Sequence, residues 1–224
     1  MADELIGKSI PNFQRQVFHL GLRFHVQPVD LLKPSAFEPA VLLREQTQPA
    51  HKRAEEAADV VGMMASDTTY RSGLVQFYRS WKPLEESLRE VESFLDFPPR
   101  MESRWRLSRL EADLRVLGVD PGTVQTLKSD LKVRTQAELA GTLYVLEGST
   151  LGARIVANLL QQKLGRGPQS GGSFFAAHGD KTGERWGSFQ RWLEESLTEI
   201  TFPECLLQAE KTFQKVESGF LVSS

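Results

Sequence analysis

The chain has 224 residues and a formal net charge of −2, with 27 lysines and arginines against 29 aspartates and glutamates. This length suits one sizeable core and is short for two, and the mixed charges exclude an extended basic surface for nucleic acid. The single cysteine, Cys205, excludes an internal disulfide framework and fits a reducing compartment. The N-terminus lacks the pattern of a secretory signal, and Arg23 and Pro28 interrupt the apolar stretch 17–32, so we expect a soluble cytoplasmic protein without a membrane span.

The first 36 residues differ from the rest of the chain, because they show no sustained period and contain three prolines. They are predicted to form an N-terminal extension, residues 1–36, that is partly disordered or packed on the surface. Helix-forming residues dominate the chain and β-branched runs are scarce, so residues 37–224 are predicted to form an all-α domain. Helical patterns cover residues 37–64, 70–95, 104–117, 120–131, 135–165, 190–197 and 202–221.

The longest predicted helix, residues 135–165, has clear start and stop signals. Thr135 and Glu138 have the spacing of a capping box, in which the two side chains satisfy opposite free amides. Lys163 in the last turn and Gly165 after it are typical of a helix end. We therefore expect one continuous helix over this stretch.

Three glycines lie inside this helix, at Gly141, Gly148 and Gly152, although each costs about 1 kcal/mol relative to alanine. Steps of seven and four residues place all three on one helix face. Such a stripe permits close packing of another helix, for which Gly148-xxx-Gly152 is a suitable pattern. It also permits a flat ligand to lie against the backbone. The spacing alone leaves both interpretations open.

Three segments together resemble one family. Residues 144–152, YVLEGSTLG, resemble the distal-helix motif of bacterial heme oxygenases, in particular the biliverdin-producing type associated with bacteriophytochromes. Residues 42–57, LLREQTQPAHKRAEEA, resemble the proximal helix of that family, and residues 173–189, SFFAAHGDKTGERWGSF, give a third match in the same order. The resemblance covers nearly the whole predicted domain. It implies a single-domain helical bundle with heme sandwiched between a proximal and a distal helix.

The resemblance places His51 at the position of the axial ligand of the heme iron; without it, a lone helical histidine would be assigned to the surface or the core. Arg44, seven residues earlier, would lie about 10 Å along the same helix face, so it is either a partner for a heme propionate or an exposed salt-bridging arginine. Glu55, one turn after His51, is expected to orient the ligand. Pro49 predicts either a kink or the start of a new helix. His178 is not expected to be a ligand, because the family leaves the other heme face to oxygen.

On the distal side, the resemblance assigns catalytic positions to Gly148, Ser149 and Gly152. The two glycines would let the helix lie close over the porphyrin and leave space for dioxygen. Mammalian members carry an aspartate directly after the first distal glycine, whereas this chain has Ser149, and a hydroxyl orients water but holds no charge near neutral pH. The proton path must therefore include other groups, which the sequence does not identify. Lys181 and Arg185 are predicted to pair with heme propionates.

The implied reaction is oxidative cleavage of heme to biliverdin, carbon monoxide and ferrous iron, with heme as both substrate and oxygen-activating cofactor. No flavin or nicotinamide motif is visible, so an external ferredoxin or reductase is expected to donate electrons. A basic patch of Lys52, Arg53 and Arg185 is either its docking surface or a solvated helix face. A bacteriophytochrome is implied as the recipient of biliverdin, and neither nucleic acid nor membrane is expected as a partner. The alternatives are a non-catalytic heme-binding carrier or sensor and a heme-free helical interaction module.

Overall fold

The computed structural model describes residues 37–128 and 130–221. These residues form helices and connecting turns, and no β-strand occurs among them, which confirms the predicted all-α class. The predicted extension, residues 1–36, lies outside the described residues. The α-helices in chain order are α1 Pro39–Gln46, α2 Gln48–Ala58, α3 Val60–Met63, α4 Asp67–Arg89, α5 Leu107–Val116, α6 Gln136–Leu164, α7 Ser173–Ala176, α8 Thr182–Ser196 and α9 Phe202–Leu221.

The helices α1 and α2 are separated at Thr47. The Thr47 hydroxyl donates to the Leu43 carbonyl oxygen at 2.7 Å, and the Thr47 main-chain N–H donates to the same oxygen at 2.9 Å. Pro49 stands in the first turn of α2, where the N–H that it lacks would have no partner within the helix. Of the two alternatives for Pro49, the structure thus shows a new helix, and the proline does not disrupt the helix that carries His51.

The central helix α6 has the predicted bounds. The Thr135 hydroxyl accepts a hydrogen bond from the Glu138 main-chain N–H at 3.1 Å, as in a capping box. The Glu138 carboxylate accepts from the Arg134 N–H at 2.7 Å, one residue before the amide that a full capping box would use. At the other end Gly165 has a φ of +65°, a left-handed conformation that favours glycine and terminates the helix.

Aromatic side chains of α4 form much of the core. Trp81 packs edge-on against Phe174 of α7 with ring centroids 5.1 Å apart, and Phe77 packs in the same way against Phe175 at 5.6 Å. α4 continues through Pro83 and buries one face along its 23 residues. These contacts bind the segment after α6 to the centre of the bundle.

Buried Asp113 of α5 fixes the start of α7. Its carboxylate accepts hydrogen bonds from the main-chain N–H groups of Ser173, at 2.9 Å, and Phe174, at 2.7 Å, and from the Ser173 hydroxyl at 2.8 Å. Burial raises the pKa of Asp113, whereas these hydrogen bonds oppose the increase. The Tyr70 hydroxyl adds a bond of 2.7 Å to the Gly171 carbonyl oxygen. The position of α7, and of the chain that follows it, is therefore set by buried polar groups.

The prediction of a helix over residues 120–131 is wrong, because among the described residues of that stretch only the 3₁₀ turn Pro121–Thr123 is helical. The Asp120 carboxylate accepts from the Gly122 N–H at 2.9 Å and stabilises this short turn. The Leu127 N–H then donates to the Arg79 carbonyl oxygen of α4 at 2.9 Å. This contact with another element replaces the hydrogen bond that a continuing helix would make.

The longest helix, α6, has 29 residues and therefore exceeds the length of about 20 residues that spans a bilayer. It nevertheless contains several charged side chains, including the buried Glu147. Within residues 37–128 and 130–221, no helix combines sufficient length with sufficient apolar character to cross a membrane.

Candidate active site

His51 lies on α2 between a carboxylate and an aromatic ring. Its Nε2 atom is 3.3 Å from Oε1 of Glu55, and 53% of the His51 side chain is exposed. Its ring packs at 5.4 Å, centroid to centroid, against Phe213 of α9. The neighbouring Ala50 and Ala54 are buried and keep the helix close to the core. The structure therefore brings the predicted ligand His51 and its predicted orienting group Glu55 together, with the imidazole accessible from solvent.

The glycines of α6 have two different environments. A Cβ atom at Gly141 would lie 2.3 Å from the carbonyl oxygen of Cys205 in α9, so this glycine permits two helices to pack. At Gly148 a Cβ would meet only the ring of Trp186, at 4.0 Å, and at Gly152 it would meet no atom of the described residues within 4 Å. The packing interpretation therefore holds for Gly141, whereas Gly148 borders the Trp186 ring without a close contact and Gly152 faces open space.

The helix α9 connects the two sides of the site, because it packs against both α2 and α6. It contributes Phe213 next to His51 and the Cys205 main chain next to Gly141. Cys205 is buried, and this burial raises the pKa of its thiol to about 12.

Ser149 is exposed but belongs to a hydrogen-bond network with the buried Arg106, which the sequence did not indicate. Its hydroxyl donates to the Leu146 carbonyl oxygen at 2.7 Å and accepts from Nη2 of Arg106. Arg106 is 3% exposed, and its guanidinium lies 4.4 Å from the ring centroid of Trp81 and 4.9 Å from that of Phe174. Burial lowers the pKa of Arg106 to about 10, so its guanidinium is charged at neutral pH.

A second arginine of the same segment, Arg104, donates to the Glu147 carboxylate, and the two side chains are only 1% and 5% exposed. Burial raises the pKa of Glu147, while the charges of Arg104 and Arg106 oppose the increase. A charged residue directly after the apolar run 143–146 and the Arg-Trp-Arg triplet 104–106 were the available signals. Neither signal indicates that residues 104–106 contact α6.

Arg44 is exposed near the end of α1 and lies beside the distal helix. Burial raises the pKa of the Tyr144 hydroxyl in α6 to about 12, and the nearby Thr47 and Arg44 oppose this increase. Arg44 forms no ion pair with another described residue. Its exposed guanidinium is therefore not in a salt bridge with a described residue, and its pairing with a heme propionate stays a prediction.

Lys181 and Arg185 have different surroundings. Lys181 is exposed in the 3₁₀ turn Gly179–Lys181. The Arg185 guanidinium donates to the Ser103 hydroxyl and, at 3.5 Å, to the Arg100 carbonyl oxygen. Arg185 therefore contacts the segment before α5 rather than α2. It borders a pocket of about 220 Å³ that is lined by Pro99, Arg100, Arg104, Glu184, Arg185, Ser188 and Arg191.

His178 lies close to the same arginines. Its Nε2 atom is buried and has no hydrogen-bond partner among the described residues. Burial lowers the pKa of His178 to about 4, and the charges of Arg185 and Arg106 add to the decrease, so the imidazole is neutral at pH 7. The preceding Ala177 has a φ of +44°, in the left-handed region, and its carbonyl oxygen accepts from Arg109. In the part of the chain that the structure describes, no three His, Cys, Asp or Glu side chains are arranged to hold a metal ion.

A comparison with known protein families identifies the family of the chain. The family model of heme oxygenase matches residues 38–218. The chain belongs to the heme oxygenase family. Among curated protein sequences, none is significantly similar to this family member.

Solved heme oxygenases share its fold. The Neisseria meningitidis enzyme, solved with NO and CO bound, is 23% identical with a TM-score of 0.68, over 84% of this chain and 95% of that chain. The Leptospira interrogans heme oxygenase is 21% identical with a TM-score of 0.69, over 82% and 98% of the two chains. Heme oxygenase-1 of Synechocystis sp. PCC6803, in complex with heme, is 17% identical with a TM-score of 0.63, over 82% and 91%. The predicted heme oxygenase-like bundle is therefore confirmed.

Proposed function

We propose that this heme oxygenase cleaves heme oxidatively to biliverdin, carbon monoxide and ferrous iron, with dioxygen and electrons from an external donor. The observation that carries the proposal is the open backbone at Gly152. An alanine there would favour the helix by about 1 kcal/mol, and no described atom requires a glycine at this position. A flat ligand lying against α6 provides the missing reason for the glycine.

The residues of the site fit heme as the substrate. His51 would hold the iron, since its imidazole is accessible, and Glu55, whose Oε1 lies 3.3 Å from His51 Nε2, would orient the ring. When bound, heme supplies both the iron that activates dioxygen and the ring that is cleaved. Gly148 and Gly152 would admit the ring on the distal side, and Ser149 would contact ligands there.

Three basic residues would neutralise the heme propionates. Arg44 and Lys181 are exposed and have no ion pair among the described residues, so their charges are available for a carboxylate. Arg185 would have to exchange its bonds to Ser103 and the Arg100 carbonyl oxygen. Guanidinium groups suit such carboxylates because they can donate two parallel hydrogen bonds.

The finer assignment is also a proposal. The segments 144–152 and 173–189 favour the bacteriophytochrome-associated type, with such a photoreceptor as the recipient of biliverdin. A ferredoxin or reductase in the cytoplasm would donate electrons. It would dock at a basic surface that includes Lys52 and Arg53, although salt bridges of both residues to glutamates weaken that surface.

The domain division is a proposal as well, because residues 1–36 lie outside the described part. The family match begins at residue 38, which supports a heme oxygenase domain over residues 37–224. Expression of residues 37–224 tests the division. The truncated chain should bind hemin as the full chain does, and a loss of folding would contradict it.

The function is tested by visible spectroscopy of the full chain with one equivalent of hemin, dioxygen, ferredoxin, ferredoxin reductase and NADPH. The parent should form a saturable Soret band that decays as biliverdin absorbance rises. His51→Ala should lose or shift the Soret band and form no biliverdin, whereas Gln48→Ala, at an exposed position of the same helix, should behave as the parent. A stable Soret band without bilin would indicate a heme carrier, and the absence of any complex would refute heme binding.

A further inference from the structure

The hydrogen-bonding capacity of Ser149 is largely fixed by the protein. A hydroxyl has one donor and two acceptor positions. The donor is used on the Leu146 carbonyl oxygen at 2.7 Å, and one acceptor position takes an N–H of Arg106. The remaining position can only accept. Ser149 is exposed and lies three residues before Gly152 on the helix surface. The remaining acceptor position of its hydroxyl therefore borders the open glycine face.

Arg106 is held rigidly from several directions. Its guanidinium packs on the rings of Trp81 and Phe174, and its Nη2 atom also donates to the Leu146 carbonyl oxygen at 2.9 Å. Its main-chain N–H donates to Oε1 of Glu85 at 2.8 Å, an oxygen that also accepts from the Trp81 indole N–H at 2.6 Å. A planar guanidinium fixed in this way presents its N–H groups at fixed positions.

The surrounding charges explain why a buried arginine is tolerated here. Arg106 lies close to the carboxylates of Glu147 and Glu85, whose attraction opposes the cost of burying its charge. Glu147 is also bound by Arg104, so two arginines and two glutamates form one cluster of balanced formal charge, to which α6 contributes Glu147. Within this cluster, the Arg106 guanidinium donates a hydrogen bond to the exposed Ser149 hydroxyl.

We propose that Arg106 is a positioning residue, which fixes Ser149 as the hydrogen-bond acceptor for an ordered water molecule on the open glycine face. The inference rests on the proposed function, because it concerns the surface against which heme would lie. The water would place one hydrogen on Ser149 Oγ and direct its second hydrogen toward a small ligand beside Gly152. This water would supply a hydrogen-bond donor beside Gly152 without a carboxylate at position 149.

The experiment uses carbon monoxide as a probe of hydrogen-bond donation in the ferrous heme complex of the full chain. A donor near the bound ligand weakens the C–O bond and lowers its stretching frequency. Ser149→Ala should raise the frequency measured by infrared spectroscopy, and Arg106→Gln should give the same shift. The double variant should shift no further, because the two residues act in one chain. Ser149→Thr, which keeps the hydroxyl, should retain the parent frequency.

Arg115→Gln, at an exposed arginine of α5 that pairs with Glu111, is the control and should not shift the frequency. The heme-free protein provides a second readout, since the guanidinium N–H signals of Arg106 in a ¹H–¹⁵N spectrum should change in Ser149→Ala. If Arg106→Gln does not fold, the C–O frequency of Ser149→Ala and the Arg106 N–H signals in that variant still test the positioning role.

The outcomes separate the two proposals. If the parent binds no hemin, the proposed function fails. If a normal heme complex forms and Ser149→Ala leaves the C–O frequency unchanged, the positioning role is overturned while the function stands. Additive shifts in the double variant, or unchanged Arg106 signals in heme-free Ser149→Ala, would also overturn it.

Discussion

Gly141 of α6 lies directly against the main chain of Cys205 in α9, so that a Cβ atom at Gly141 would be 2.3 Å from the Cys205 carbonyl oxygen. The obstacle is backbone, which cannot rotate away as a side chain can. The same added atom at Gly152 would meet no described atom within 4 Å. Gly141 is therefore required for helix packing, whereas Gly152 is not. Substitutions at the two positions should have different effects on stability.

Gly141→Ala should destabilise the heme-free protein by about 1–3 kcal/mol, because the added methyl group forces α6 and α9 apart. Denaturant unfolding followed by circular dichroism measures this change. Gly183→Ala is the control, since a Cβ at Gly183 in α8 has no described neighbour within 4 Å. That variant should be as stable as the parent or slightly more stable. Equal stability of Gly141→Ala and the parent would refute the close packing of these helices.

Removal of Arg104 should leave the Glu147 carboxylate buried without its partner. Arg104→Met is expected to reduce the free energy of unfolding by about 3–5 kcal/mol at pH 7. The loss should be smaller at pH 5, because the carboxyl, whose pKa burial already raises, can then bind a proton in the folded state.

Arg100→Met is the matched control for this prediction. Arg100 also pairs with a glutamate, Glu184 at 3.6 Å, but both side chains are about two-thirds exposed. The control should change the stability by no more than about 0.5 kcal/mol. A similar small effect of Arg104→Met would show that the buried pair does not hold α6 in place.

His178 should remain neutral well below the usual pH range of histidine. Its pKa is lowered from 6.5 to about 4, so folding favours the neutral ring. The stability contributed by this group is complete above pH 6.5 and is lost as the pH falls toward 4. The parent should therefore lose more stability between pH 7 and 5 than His178→Gln does. Nuclear magnetic resonance titration provides the direct measurement, and a ring that titrates near pH 6.5 would contradict the prediction.

Local signals predicted the helices well and their contacts poorly. The capping residue Thr135 and the terminal Gly165 gave the bounds of α6, because both act within one helical turn. Pro49 indicated a discontinuity but not its kind. Residues 120–131 carried a helical pattern, yet a main-chain bond to α4 replaced the helix, and no local pattern contains that contact.

Only those contacts of the site that lie within one helix turn were predictable from the sequence. His51 and Glu55 are one turn apart on a helix, so their proximity follows from helix geometry. The contact of Arg106 with Ser149 joins residues 43 positions apart and depends on tertiary packing. In the same way, the glycine stripe could not reveal that Gly141 packs on α9 while Gly152 is open.

The most direct test of the account is a hemin titration of Gly152→Leu, combined with thermal unfolding of the heme-free protein. The larger side chain has space in the heme-free structure, so the melting temperature should be equal to that of the parent or higher. It should occupy the surface against which heme lies and raise the dissociation constant for hemin about tenfold or more, equivalent to about 1.4 kcal/mol. Gly183→Leu should bind hemin as the parent does. If Gly152→Leu is stably folded and binds hemin with parental affinity, the open glycine face is not the heme surface and the central claim is wrong.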